Sequence, residues 1–196
     1  MVDALTDLVG FLKGTVTEND SYYVKQIADN FSYAEDQKSF ALRLVIHYVG
    51  DVHQPLHAVS EVDSTYPEGD RGGNDEHIPK ENTVSNLHQI WDSVIWGYIG
   101  YETLPFSDSD WDYYTSESAK NYGDYPIDVT LLNDGDFQGW ATESLQIAKD
   151  QVYAGFTTGE SPSDEYRDAA KPILLTRMNY GARRLADTIV DIYGNQ

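Results

Sequence analysis

Apolar residues along this chain recur three and four positions apart, the spacing of helices, and nowhere sustain the alternation of a strand. Asp3 to Leu12 predicts an opening helix, with Asp3 as its N-cap and Gly14 as its stop. A short second helix is expected from Ser21 to Asp29. The strongest signal runs from Ser39 to Val52, where Phe40, Leu42, Leu44, Val45, Ile46, Tyr48, Val49 and Val52 leave almost no polar face. A helix apolar nearly all round is expected to be buried, and Pro55 ends it. Ser60 to Asn82 turns polar and is broken by Pro67, Gly69, Gly72, Gly73 and Pro79, so it reads as one long functional or mobile loop. Ser85 opens a fourth helix carrying Leu87, Ile90, Trp91, Val94 and Ile95, and residues 100–136 read as an irregular surface segment with short helical turns. Phe137 to Ala154 is amphipathic and stops near Gly155; Ser163 to Tyr193 predicts a long closing helix, kinked at Pro172 and ended by Gly194. Neither a strand nor an internal repeat is expected. The pattern predicts an all-α fold, a helical bundle with long irregular loops, in a single domain over residues 1–196.

Composition narrows the function. The net charge is −20, with 33 acidic side chains against 13 basic ones, so the chain lacks the basic footprint of a nucleic-acid-binding module and should repel a polyanion at long range. Such acidity suits cation capture, or is simply a solvated surface. With no cysteine, disulfides, thiolate metal sites and cysteine nucleophiles are excluded. No apolar run approaches the roughly 20 residues that span a bilayer, and Met1-Val2-Asp3 does not read as the opening of a signal peptide. Asn19 and Asn30 head Asn-x-Ser triplets that matter only in a secreted protein.

Chemistry concentrates between His47 and His57, where His47, His53 and His57, three of the five histidines, stand with Asp51 in an otherwise apolar stretch. His47 and Asp51 lie at i and i+4, on one helix face, and His88 and Asp92 repeat the pairing on the fourth helix. One such pair alone reads as a hydrogen-bonded core contact. Two pairs, with His57 just beyond the first helix, favour a metal centre built between facing helices. Imidazole and carboxylate donors suit zinc best, with manganese or iron as alternatives. A di-iron bundle would need Glu-x-x-His pairs, and the sequence has none. Trp91, Trp96 and Trp140 read as core packing; Tyr66 is a candidate for stacking on a base, and His77 should be exposed.

His47-x-x-Gly50-Asp51-x-His53-Gln54-Pro55-Leu56-His57, then Asp70-Arg71-Gly72-Gly73-Asn74, then Leu87-His88-x-x-Trp91-Asp92, resembles the S1/P1 nuclease family. Trp140-Ala141-x-Glu143-Ser144, Val152-Tyr153 and Gly181-Ala182-Arg183-Arg184-Leu185-Ala186 continue the likeness in order. The resemblance implies a bundle of the phospholipase C/P1 nuclease type and a zinc-dependent, mostly extracellular enzyme. Such enzymes cleave single-stranded DNA and RNA to 5′-nucleotides, and many also remove 3′-phosphates. It implies a three-zinc cluster in which His47 ligates one zinc and Asp51 bridges it to a second, while His57, His88 and Asp92 hold the third. His53 falls on a position that touches ligands or packs rather than binding metal. Asp70 and Asn74 match the Asp-x-Gly-Gly-Asn motif, where they would orient ligands beside a tight glycine turn, and with Asp51 they form the expected catalytic set. Zinc activates water, so no side-chain nucleophile is required.

The family pattern opens with a metal-binding N-terminal tryptophan and then a histidine, with a further aspartate and histidine before His47; no histidine precedes His47 here. The likeness therefore covers the C-terminal two-thirds of the pattern. His57, His88 and Asp92 make a complete three-ligand zinc site with one open position, whereas His47 and Asp51 await further ligands. A homo-oligomer, or a second chain supplying the remainder, would meet that need. The alternative function is a metal-binding structural or self-assembling extracellular protein on the same scaffold.

Overall fold

The computed structural model describes residues 1–81, 84–93 and 105–194. α1 (Val2–Leu12) buries Ala4, Leu5, Leu8, Val9 and Leu12 along one face. It starts one residue earlier than expected: Met1 is the N-cap, and Asp3 sits in the first turn, where its charge complements the helix dipole. α2 (Tyr22–Asn30) is capped by Ser21, whose Oγ accepts from Val24 N at 3.3 Å and donates to Asp7 Oδ2 at 2.6 Å.

α3 (Ala34–His53) begins before Ser39 and is not buried all round. Ala41, Val45, Val49 and Val52 pack inward, while Ile46 and Phe40 remain 44% and 36% exposed. Apolar content along its length forecast burial, but only the face turned toward the neighbouring helices is covered. After α3 the chain makes a single 3₁₀ turn, Pro55–Ala58.

The polar stretch that followed as one loop ends in an antiparallel hairpin of β1 (His77–Glu81) and β2 (Val84–Asn86), pairing His77 with Asn86 and Glu81 with Val84. This corrects the expectation of no strand. The hairpin is too short to show period-2 patterning; Ile78 and Val84 are its buried apolar anchors. Asn86, rather than Ser85, caps α4 (Leu87–Asp92), with Oδ1 accepting from Gln89 N at 2.8 Å. Val94, Ile95 and Trp96, expected on the same helix, lie outside the described residues.

A second correction is α5 (Asp108–Asp124), a 17-residue helix inside the segment expected to be irregular. It buries none of its residues, so no apolar stripe announces it. A capping box starts it: Ser107 Oγ accepts from Asp110 N at 3.3 Å, and Asp110 Oδ2 accepts from Ser107 N at 2.8 Å. Polar bonds tie it to the closing helix, including Asn121 Nδ2 to Asn179 Oδ1 at 2.9 Å.

α6 (Phe137–Ile147) passes into a π turn over Ala148–Val152, and α7 (Asp164–Tyr193) runs through Pro172. Two apolar clusters result. One gathers Leu5, Leu8, Val45, Val49, Val52 and Trp140; the other gathers Leu56, Leu87, Ile90, Trp91, Val152 and Leu174. The segment from Val52 to Leu56 passes from the first cluster to the second, so packing on both sides fixes the turn that carries His57. No described helix is long and apolar enough to cross a membrane.

Candidate metal centre

The five expected ligands form a linked row. His57 Nδ1 faces Asp51 Oδ2 at 3.9 Å and His57 Nε2 faces Asp92 Oδ1 at 3.3 Å. His88 Nε2 lies 3.3 Å from Asp92 Oδ2, and the rings of His57 and His88 are 4.7 Å apart. His47 joins through Asp51, with Nε2 to Oδ2 at 3.2 Å, but its side chain is 66% exposed. The two helical pairs therefore face each other across His57.

The donor set fits zinc at one place. Donor atoms of His57, His88 and Asp92 all lie within 4.8 Å of one another. Two donors on a tetrahedral zinc, each about 2.0–2.1 Å from the metal, stand about 3.3 Å apart; His57 Nε2 stands at that distance from Asp92 Oδ1 and His88 Nε2 from Asp92 Oδ2, so the carboxylate offers each ring a different oxygen. His88 Nδ1 lies 2.8 Å from the Gly72 carbonyl. That contact makes Nδ1 the protonated nitrogen and leaves the Nε2 lone pair for a cation.

Electrostatics agree with a cation-seeking site. Partial burial works to raise the Asp92 pKa, but hydrogen bonds with His57, His88 and Gln54 outweigh it and hold the carboxyl well below its usual range. His88 is shifted up, chiefly by its contact with Asp92, against the opposing effect of burial. Gln54 was not singled out by the sequence reading, although it sits inside the central motif. Its Nε2 donates to Asp92 Oδ1 at 2.8 Å while its Oε1 accepts from Leu56 N, so one side chain ties the turn to the ligand.

His53 points away from this row. It is 3% exposed, its Nδ1 donates to the Val49 carbonyl at 2.7 Å, and its Nε2 accepts from an Arg184 Nη at 3.0 Å. Burial, with the Arg177 charge nearby, pushes its pKa down to about 3. Arg184, fully buried, also donates to the Leu131 and Leu132 carbonyls, both at 2.8 Å, and to both oxygens of Glu143. Arg177 bonds the His53 carbonyl at 3.3 Å and Glu143 at 2.7 Å. In the sequence Glu143 and Arg184 stand only as marks of the family likeness, and Arg177 belongs to no motif; its partners His53 and Glu143 lie 124 and 34 positions away.

Asp70 is wholly buried behind the ligands. Its Oδ1 accepts from Glu61 N at 2.8 Å and Gly72 N at 3.0 Å; its Oδ2 accepts from Gly73 N and Tyr153 Oη, both at 2.7 Å. Gly72, at φ +64°, runs so close to the turn that a Cβ would lie 2.3 Å from the Leu56 carbonyl oxygen. The glycines thus permit a close approach to the His57 turn. Asn74 donates to the Arg71 carbonyl at 2.9 Å, and no hydrogen bond joins it to the five ligand candidates among the described residues. Tyr66 donates its hydroxyl to the Asp75 carbonyl at 3.1 Å, and His77 is exposed. Trp91 and Trp140 are buried, 1% and 0% exposed, as expected of core residues. A groove of about 340 Å³ flanks the row, with Asp51 and Asp92 at its edge and Ile46, Leu174, Met178 and Leu185 among its walls.

A helical bundle that aims histidines and aspartates from two helices at one point defines a metal-dependent class of protein. The S1/P1 nuclease profile matches residues 12–194, and the chain belongs to that family. It is 30% identical to "Endonuclease 2" of Arabidopsis thaliana over 189 residues, covering 88% of this chain and 59% of that protein. It is 25% identical to "Nuclease P1" of Penicillium citrinum over 187 residues, covering 89% of this chain and 65% of that protein. With "Nuclease S1" of Aspergillus oryzae it shares 40% identity over 53 residues, 27% of this chain and 16% of that protein. The chain spans between about half and three-fifths of the length of the Arabidopsis endonucleases it matches, 51% and 59% for two of them.

Proposed function

We propose that this chain carries the metal centre of a zinc-dependent enzyme that hydrolyses phosphodiester bonds in single-stranded DNA or RNA to 5′-nucleotides, together with 3′-nucleotidase activity. The observation that carries this reading is the convergence of His57, His88 and Asp92, with Asp51 on the far edge of His57. Zinc, when bound by His57, His88 and Asp92, supplies Lewis acidity toward water and a phosphoryl oxygen. His88 presents Nε2 because Gly72 holds its other nitrogen, and Gln54 orients Asp92. Asp51, between His47 and His57, is placed to share a cation with either neighbour. Asp70 and Asn74 shape the loop behind the ligands. Cations at this edge would offset locally the charge of −20 that otherwise repels phosphate. In this reading residues 1–196 act as one domain, in an extracellular setting, on nucleic acid or nucleotides.

A second reading has its own support. His47 and Asp51 bring only two donor side chains to their half of the row, and apolar Ile46 and Met178 are each 44% exposed beside it. These features suit a metal-binding module that assembles with copies of itself or with a second chain. Metal analysis and single-strand hydrolysis assays separate the two. The enzyme reading expects zinc-dependent cleavage, abolished by Asp51→Asn and by His88→Ala. Folded protein with its zinc site filled and no cleavage of single-stranded DNA or RNA would decide for the module.

A further inference from the structure

We propose that Tyr153 is a positioning residue for the His88 ligand, acting through Asp70 and the Gly72 peptide; the inference deepens the metal-site reading above and rests on it. The contacts form an unbroken series. Tyr153 Oη donates to Asp70 Oδ2 at 2.7 Å; Asp70 accepts from Gly72 N at 3.0 Å and Gly73 N at 2.7 Å; and the Gly72 carbonyl lies 2.8 Å from His88 Nδ1. Gly73 adds a parallel link, its carbonyl accepting from His88 N at 3.2 Å.

The local backbone is built for this contact. Tyr153 ends the π turn Ala148–Val152, and its N–H reaches back five residues to the Ala148 carbonyl at 3.1 Å. An α-helix advances about 100° per residue at 3.6 residues per turn. The wider turn therefore changes the direction in which Tyr153 leaves the helix. π turns inside α-helices recur at functional sites for this reason.

Charge explains why Asp70 needs the hydroxyl. Carboxylate oxygens of Glu61, Asp70 and Glu76 lie within 4.8 Å of one another, and Glu76 is 6% exposed. Asp70 meets these like charges with three backbone N–H groups and the Tyr153 phenol. Both Asp70 oxygens are engaged by those donors. Burial, with Asp70 beside it, pushes the Tyr153 phenol up, and it stays protonated as a donor. Without it, Asp70 is under-compensated beside Glu61 and Glu76, and its grip on the two glycine N–H groups loosens. The Gly72 carbonyl then no longer holds His88 Nδ1, and the orientation of the ring toward Asp92 is released.

Tyr153→Phe keeps the ring and removes only the donor. Zinc affinity measured by competition with a chromophoric chelator should fall by about tenfold, the low end of the effect of partners that orient a ligand. In metal-free protein the His88 Nδ1–H should lose its hydrogen bond to the Gly72 carbonyl, read as a change in the His88 ring ¹⁵N and N–H proton shifts and as faster exchange of that proton with solvent. Zinc affinity within twofold of wild type, with unchanged His88 shifts, overturns the proposal. If wild type takes up no zinc, the metal reading fails by itself; the imidazole shifts of the metal-free variant still decide the role of Tyr153.

Discussion

The two His-x-x-x-Asp pairs have identical spacing, yet the structure supports them differently. His88 is 14% exposed, and its second nitrogen is held by the Gly72 carbonyl. His47 is 66% exposed, and among the described residues only Asp51 makes a polar contact with its ring. Asp92 is shared by His57, His88 and Gln54, whereas Asp51 sees His47 at 3.2 Å and His57 no nearer than 3.9 Å. Spacing places donors on a face. Affinity also needs the donors restrained before the ion arrives, and backbone from a distant loop provides that restraint for only one pair.

The largest expected effect removes the support beneath the end of α3, which carries the His47–Asp51 pair and leads to His57. Arg184→Met leaves Glu143 with Arg177 alone, strips the Leu131 carbonyl and His53 Nε2 of the Arg184 donor, and leaves the Leu132 carbonyl with the Trp140 indole N–H. Breaking such a buried pair should cost about 3–5 kcal/mol in urea unfolding. A loss below about 1 kcal/mol would mean that the α3 turn is held by apolar packing alone. Next in size is the direct contrast. His88→Ala should weaken zinc binding by at least about 100-fold, beyond the usual effect of an orienting partner, while His47→Ala should leave the tight site within about threefold of wild type. Equal losses in chelator competition would erase the difference between the pairs.

The smallest effect is in pH. Burial works to raise the Glu143 pKa, but the bonds from Arg184 and Arg177 win and lower it. Its stabilising contribution is therefore complete above the unfolded value of 4.5 and is lost as pH falls through the depressed folded value. His53 acts earlier: with a folded pKa of about 3 against 6.5 unfolded, it costs stability as soon as pH drops below 6.5. Urea curves of wild type and Glu143→Gln should thus stay a constant distance apart from pH 7 to about 5 and converge below 4.5. Curves that remain parallel to pH 3 would show that Glu143 is not the acid-sensitive partner.

The candidate ligands were legible because helical spacing is a local property: i and i+4 put His47 with Asp51, and His88 with Asp92, whatever the rest of the chain does. His57 stood out just past the helix of the first pair, and the family motif added the glycine loop. What stayed hidden depends on neighbours far along the chain. α3 shows apolar residues on every side, but which of them meet α1, α6 and α7 is a matter of packing, and Ile46 is left outside. α5 carries no apolar stripe; only the Ser107–Asp110 capping box marked it. Gln54 was in plain view, but its bond to Asp92 spans 38 positions. The Tyr153–Asp70 bond spans 83, and nothing near either residue points to the other.

The π turn has a consequence for how this protein can vary. Substitutions at Lys149, Asp150 or Gln151, on the turn itself, change side chains and leave the helical phase intact. Loss of a single residue there would restore ordinary helix and swing Tyr153 off Asp70. Insertions and deletions should therefore be selected against in this segment more strongly than changes of residue type. A change in the length of this stretch should disturb the Tyr153–Asp70 contact more than a change in its composition.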